Sequence, residues 1–140
     1  MALFASQSKK QSIDDTRTRD SVTPLRLVIH VADGGPQPRV ISLPLQKTVT
    51  LGRGGGGAEQ QPDVDLSSFR ALENGVSRWH AQLTHDDDFL SIEDLDSTNG
   101  TRINGYQISA HRPYRLRDGD EIEIGRIRMM VTVVRIPTQV

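Results

Sequence analysis

The chain has 140 residues, 35 % of them hydrophobic and 4 % aromatic, with a formal net charge of −1. That length fits one domain with a tail, and the balanced charge excludes a protein held to nucleic acid or an acidic membrane by its overall field. With no cysteine, a disulfide scaffold, a thiolate zinc site and a cysteine nucleophile are excluded as well. No apolar run approaches the ~20 residues that span a bilayer. The opening MALFASQSKK lacks the apolar stretch of a secretory signal. The expectation is a cytoplasmic protein without membrane insertion, metal or cofactor.

Residues 1–23 are polar and charged without periodicity, and such a segment buries too little apolar surface to offset its ordering entropy. The reading is a disordered tail over 1–23, a domain over 24–136 and a short C-terminal tail over 137–140. From Pro24 onward, short apolar runs alternate with turn chemistry. LRLVIHV (25–31), RVISLPL (39–45) and TVTLG (48–52) precede a glycine-rich loop, and WHAQLTH (79–85) follows it. Asp86-Asp87-Asp88 separates that run from FLSIEDL (89–95), which reads as its hairpin partner. Asn104-Gly105 is a strong two-residue hairpin signal, and IEIG and IRMMVTVVRI (127–136) close the chain. Ile122, Ile124 and Ile127 alternate with Glu121, Glu123 and Arg126. Residues 67–75 hold at most one helical turn. Many short strands without a real helix predict an antiparallel β-sandwich.

Three polar clusters lie between the strands: Leu51 to Gly57, Gly75 to Ala81 and Asp96 to Gly105. Loops of a sandwich gather at its ends, where a rigid scaffold can present a binding site. Arg53 and Arg78 offer charged forks of N–H groups, Ser77 and Thr98 offer hydroxyls, and the Asn99 amide both donates and accepts. That donor-rich mixture suits a phosphate group.

Gly52-Arg53, then Ser77-Arg78-Trp79-His80, then Asn99-Gly100-Thr101, then Asn104-Gly105 stand in the order of the forkhead-associated (FHA) domain signature. Each piece alone is weak; together they resemble that family over roughly residues 25–136. The resemblance implies a β-sandwich of about eleven strands that binds phosphothreonine peptides through loops at one end. It implies that Arg53 and Ser77 contact the phosphate and that Arg78 lines the site. Thr98 would meet the threonine methyl group, and Asn99 would hold the peptide backbone. His80 would brace the loop that presents Ser77, while Gly52, Gly100, Thr101, Asn104 and Gly105 would be architectural. The segment between Arg53 and Ser77 is long. It resembles a bacterial variant in which residues 63–66 form an additional strand after a flexible Gly54–Gly57 loop.

Sharper chemistries fit less well. Ser77 and His80 lack the Gly-x-Ser-x-Gly elbow of a hydrolase, so no enzyme activity is expected. The glycine run lacks the Lys-Ser or Lys-Thr of a nucleotide loop, and one RGG copy without aromatic platforms is a poor RNA element. Asp86-Asp87-Asp88 lacks calcium-loop spacing and reads as a solvated turn. The alternation of residues 79–85 does not decide whether Trp79 belongs to the core or to the rim. Trp79 and Tyr106 are expected to flank the site. The expected function is a monomeric signalling adaptor for a phosphothreonine protein, such as a Ser/Thr kinase or its substrates. Thr16 and Thr18 of the tail are candidate phosphosites that could regulate the pocket. The alternative is an assembly module making phosphate-independent contacts.

Overall fold

Alternation becomes sheet wherever one face of a strand can be buried. In the computed structural model, which describes residues 25–136 other than 33, 56–59 and 87, this yields eleven strands. The tail 1–23 with Thr16 and Thr18, residues 137–140 and Gly56-Gly57 lie outside the described residues.

The strands are β1 (Leu25–Ala32), β2 (Arg39–Pro44), β3 (Thr48–Gly52), β4 (Val64–Asp65), β5 (Ala81–Asp86) and β6 (Phe89–Asp94). They continue as β7 (Thr101–Ile103), β8 (Tyr106–Gln107), β9 (Pro113–Leu116), β10 (Glu121–Ile124) and β11 (Ile127–Arg135). A six-stranded sheet runs β2-β1-β11-β10-β7-β8, and a five-stranded sheet runs β4-β3-β5-β6-β9. The only helical turn among the described residues is a 3-10 turn, Ser67–Phe69. Leu27, Ile29 and Val31 of β1 and Ile122 and Ile124 of β10 are buried from one sheet, facing Leu51, Leu83 and Ile92 of the other sheet's strands. Leucine and β-branched side chains fill this core, which explains how it manages with few aromatics.

The pairing departs from the expected antiparallel pattern once within the named strands: β3 and β4 are parallel. Residues 53–63 carry the chain back to the start of β3's last residues, the long connection that a parallel neighbour requires. A parallel bridge also joins Asp94 to Ala110. The strand expected to begin at Trp79 begins at Ala81.

Register fixes which loops meet. The β10–β11 turn closes on the loops after β4 and β6, because Gly125 N–H donates to the Gly100 carbonyl and Arg126 N–H to that of Asn74. At the other end of β11, Arg135 pairs with Leu25, the first residue of β1. The described chain therefore starts at the end of the sandwich opposite those loops.

Candidate functional site

The loop end is organised around a buried histidine. Ser77 N–H donates to His80 Nδ1 at 3.0 Å, and the Gly100 carbonyl lies 2.8 Å from His80 Nε2. A backbone amide can only donate and a carbonyl only accept, so the ring is neutral with its proton on Nε2. Burial lowers the His80 pKa, outweighing the Gly100 bond and the charge of Asp94, which raise it. This one ring ties the serine loop to the Asn-Gly loop.

A second tie is a hydrogen-bonded carboxylate. Asp94, buried at the end of β6, accepts from Ser97 Oγ at 2.6 Å, Thr101 Oγ1 at 2.7 Å and Ser97 N–H at 3.1 Å. Burial works against its charge, but the bonds from Ser97 and Thr101 prevail and its pKa is lowered. Ser97 Oγ in turn accepts from Gly100 N–H at 3.0 Å. Asp94 and Ser97 were not singled out from sequence. The available signal was an acidic residue three positions before a serine, the local pattern of a side chain capping a turn.

On this scaffold, Arg53 N–H donates to the Ser77 carbonyl at 3.0 Å, and its Nε to the Val76 carbonyl at 3.1 Å. The second bond fixes the plane of the guanidinium while its terminal nitrogens remain available to a ligand. Thr98 N–H donates to Ser77 Oγ at 3.0 Å. Because that bond occupies a lone pair, the serine hydroxyl proton is left to donate elsewhere. Asn99 Nδ2 donates to the Gly75 carbonyl at 3.0 Å, which orients the amide and leaves its oxygen as an acceptor.

Gly75 is a third residue that sequence reasoning missed. Its φ is +73°, and a Cβ there would stand 2.6 Å from Asn99 Nδ2, so a side chain would displace the asparagine. Gly52 is required for a different reason: a Cβ would overlap the Arg78 carbonyl. Gly100 and Thr101 supply the bonds to His80 and Asp94. Asn104-Gly105 turns the β7–β8 hairpin, and Asn104 bonds Asp120 and Glu121 N–H rather than the site.

The five residues expected to contact ligand, Arg53, Ser77, Arg78, Thr98 and Asn99, line one open cleft of about 330 Å³. Among the described residues, no carboxylate shares that lining. Trp79 is 38 % exposed and lines an adjoining recess with Arg53 and Arg78, which makes it rim rather than core. Tyr106 is 80 % exposed on β8 and lines neither the cleft nor the recess.

The glycine loop is more restrained at its start than expected. Asp65 Oδ1 accepts from Gly54 N–H and Ser67 N–H at 2.9 Å each and from Ser67 Oγ at 2.5 Å, while Gln61 accepts from Gly55 N–H at 2.8 Å. The Ser67 bonds are the main reason the Asp65 pKa is lowered. These bonds secure Gly54 and Gly55 next to Arg53.

The sequence model of the FHA domain family matches residues 49–125, more than half of the chain. Protein FraH of Nostoc sp. is 45 % identical over 65 residues, which cover 46 % of this chain and 22 % of FraH. The FHA domain-containing protein FhaA of Mycobacterium tuberculosis is 35 % identical over 65 residues, covering 46 % of this chain and 12 % of FhaA. The chain thus spans less than a quarter of the length of either relative. Among solved structures, a domain described for phosphothreonine-dependent FHA domain interactions superposes with a TM-score of 0.57 at 28 % identity, covering 84 % of this chain and all of that one.

Proposed function

Since the chain belongs to the FHA-domain family, we propose that it is a phosphothreonine-peptide-binding module acting as a signalling adaptor, with no catalysis of its own. The observation that carries this reading is the cleft itself, where Arg53, Ser77, Arg78, Thr98 and Asn99 converge with no competing carboxylate among the described residues.

The mechanism follows from charge and hydrogen-bond direction. A phosphothreonine carries about −1.5 to −2 charge near neutral pH. Two arginine forks and the Ser77 hydroxyl proton can pair it with charge-assisted bonds. The Asn99 amide oxygen is placed to accept an N–H from the peptide backbone. The phosphothreonine methyl group meets Thr98, which favours threonine over serine by about 1 kcal/mol, the value of one buried methyl. The proposed domain is residues 24–136, held in a cytoplasm where kinases supply phosphothreonine. Thr16 and Thr18 are proposed tail sites through which a kinase regulates the pocket.

Calorimetry with phosphothreonine peptides tests the reading. Arg53→Ala should weaken binding by at least about 2 kcal/mol, the size of a charge-assisted hydrogen bond at a dianion. An affinity unchanged by that substitution sinks the site assignment. The alternative, an assembly module using phosphate-independent contacts, predicts partner binding that free phosphothreonine peptide does not displace.

A further inference from the structure

One wall of the cleft is of a different kind from the rest. Leu72 is 70 % exposed, yet its side chain lines the same cavity as Arg53, Ser77, Arg78, Thr98 and Asn99. It is the one large exposed apolar side chain of that lining, since Val76 is buried and Gly75 has no side chain.

The turn carrying Leu72 is braced on both sides. Gly75 N–H donates to the Leu72 carbonyl at 3.2 Å, Val76 N–H to Ala71 at 2.8 Å and Asn74 N–H to Arg70 at 2.9 Å. Asn74 Nδ2 also donates to the carbonyls of Phe69 and Arg70. From the β10–β11 turn, Arg126 N–H reaches the Asn74 carbonyl and the Arg126 guanidinium reaches that of Glu73. Phe69, Ala71 and Val76 are buried beside it. Leu72 is therefore held outward by a fixed backbone with its apolar surface in water. Removing a leucine's apolar surface from water is favourable, so a ligand side chain that covers part of it gains affinity.

We propose that Leu72 is a specificity-determining residue, selecting phosphothreonine peptides with an aliphatic side chain at one fixed position near the phosphothreonine. This inference rests on the phosphopeptide reading above. Because Leu72 lines the same cavity as the phosphate-binding candidates, the selected position lies close to the phosphothreonine along an extended peptide. The aliphatic class follows from the lining: Leu72 offers no hydrogen bond, and a charged peptide side chain laid against it would lose hydration without a partner.

The test compares the wild type, Leu72→Arg and Arg53→Ala against a phosphothreonine peptide library randomised on both sides of the phosphothreonine. Peptides with leucine or alanine at the selected position are then titrated individually. The wild type should enrich Leu, Ile and Val at one position and prefer the leucine peptide about tenfold. In Leu72→Arg that preference should fall to near unity, with acidic residues enriched in its place. Because Leu72 is exposed, the variant should retain the wild-type melting temperature. Binding that depends on Arg53 but shows the same selection in Leu72→Arg overturns this inference and leaves the phosphopeptide reading standing. Absence of any Arg53-dependent phosphopeptide binding overturns the reading and the inference together.

Discussion

The two ends of the sandwich carry cavities of nearly equal size and opposite character. The loop-end cleft is about 330 Å³, and a groove at the other end, between β9, β11 and the β5–β6 hairpin, is about 320 Å³. In the far groove Arg115 and Arg117 share the lining with Asp88 and Asp118, so positive and negative charges offset one another. Arg115 is further engaged with Phe89, 3.9 Å from the ring centre. At the loop end no carboxylate among the described residues shares the lining, and the donors hang from a network of buried His80, Asp94 and Thr101 with half-buried Ser97. Cavity size does not distinguish these places. What distinguishes them is donors left uncompensated on a scaffold that cannot relax to satisfy them.

The largest test of that contrast removes the scaffold. His80→Ala leaves Ser77 N–H and the Gly100 carbonyl without their buried partner, which should cost on the order of 3 kcal/mol of folding stability in urea titrations. A loss near zero would mean that the loop end holds itself together without the ring. Next comes a paired comparison: with the Arg53→Ala loss set against it, Arg115→Ala in the far groove should change phosphopeptide affinity by less than about 0.5 kcal/mol. Equal losses would erase the distinction between the ends.

The smallest test is pH. His80 has its pKa lowered in the fold, so below 6.5 the unfolded chain binds protons that the native one refuses. The stability from neutral His80 is whole above pH 6.5 and is lost progressively as the pH falls toward the lowered value. Asp94, also lowered, adds a second loss below about pH 4. Urea titrations between pH 5 and 7.5 should show stability rising with pH, with a shallower slope in His80→Gln. A flat wild-type profile would contradict the neutral ring.

Sequence reading reached the fold and the contacts differently. Strands with one buried face, such as β1, β10 and β11, were legible because periodicity is local. The five ligand-facing candidates were legible because four short motifs occurred in order, and the structure gathers them in one cleft. The parallel β3–β4 pair was not legible as such, since strand direction depends on where an eleven-residue loop returns. Gly75 escaped notice because its need for a missing Cβ comes from Asn99, 24 positions away. Asp94 looked like the polar end of a hairpin, and only the return of Thr101 beneath it makes it a buried anchor. Leu72 looked like part of a failed helix, and its proposed role emerges only when the turn around it is seen to face the cleft.

The direction of β1 sets a limit on self-recognition. Leu25 stands beside Arg135, and eight strand steps, about 27 Å at 3.3–3.4 Å per residue, separate that point from Ile127 at the loop end. Thr18 lies seven residues before Leu25 and can extend no further than about 25 Å, and Thr16, nine residues before, no further than about 32 Å even when pulled straight. A phosphate on Thr18 would reach the cleft of its own molecule only with the intervening segment nearly straight, and one on Thr16 only with little slack. The same phosphate meets no such limit at the cleft of a neighbouring copy. The proposed tail phosphorylation would therefore favour a coupling between molecules, with a dependence on protein concentration that a self-closing latch would not have.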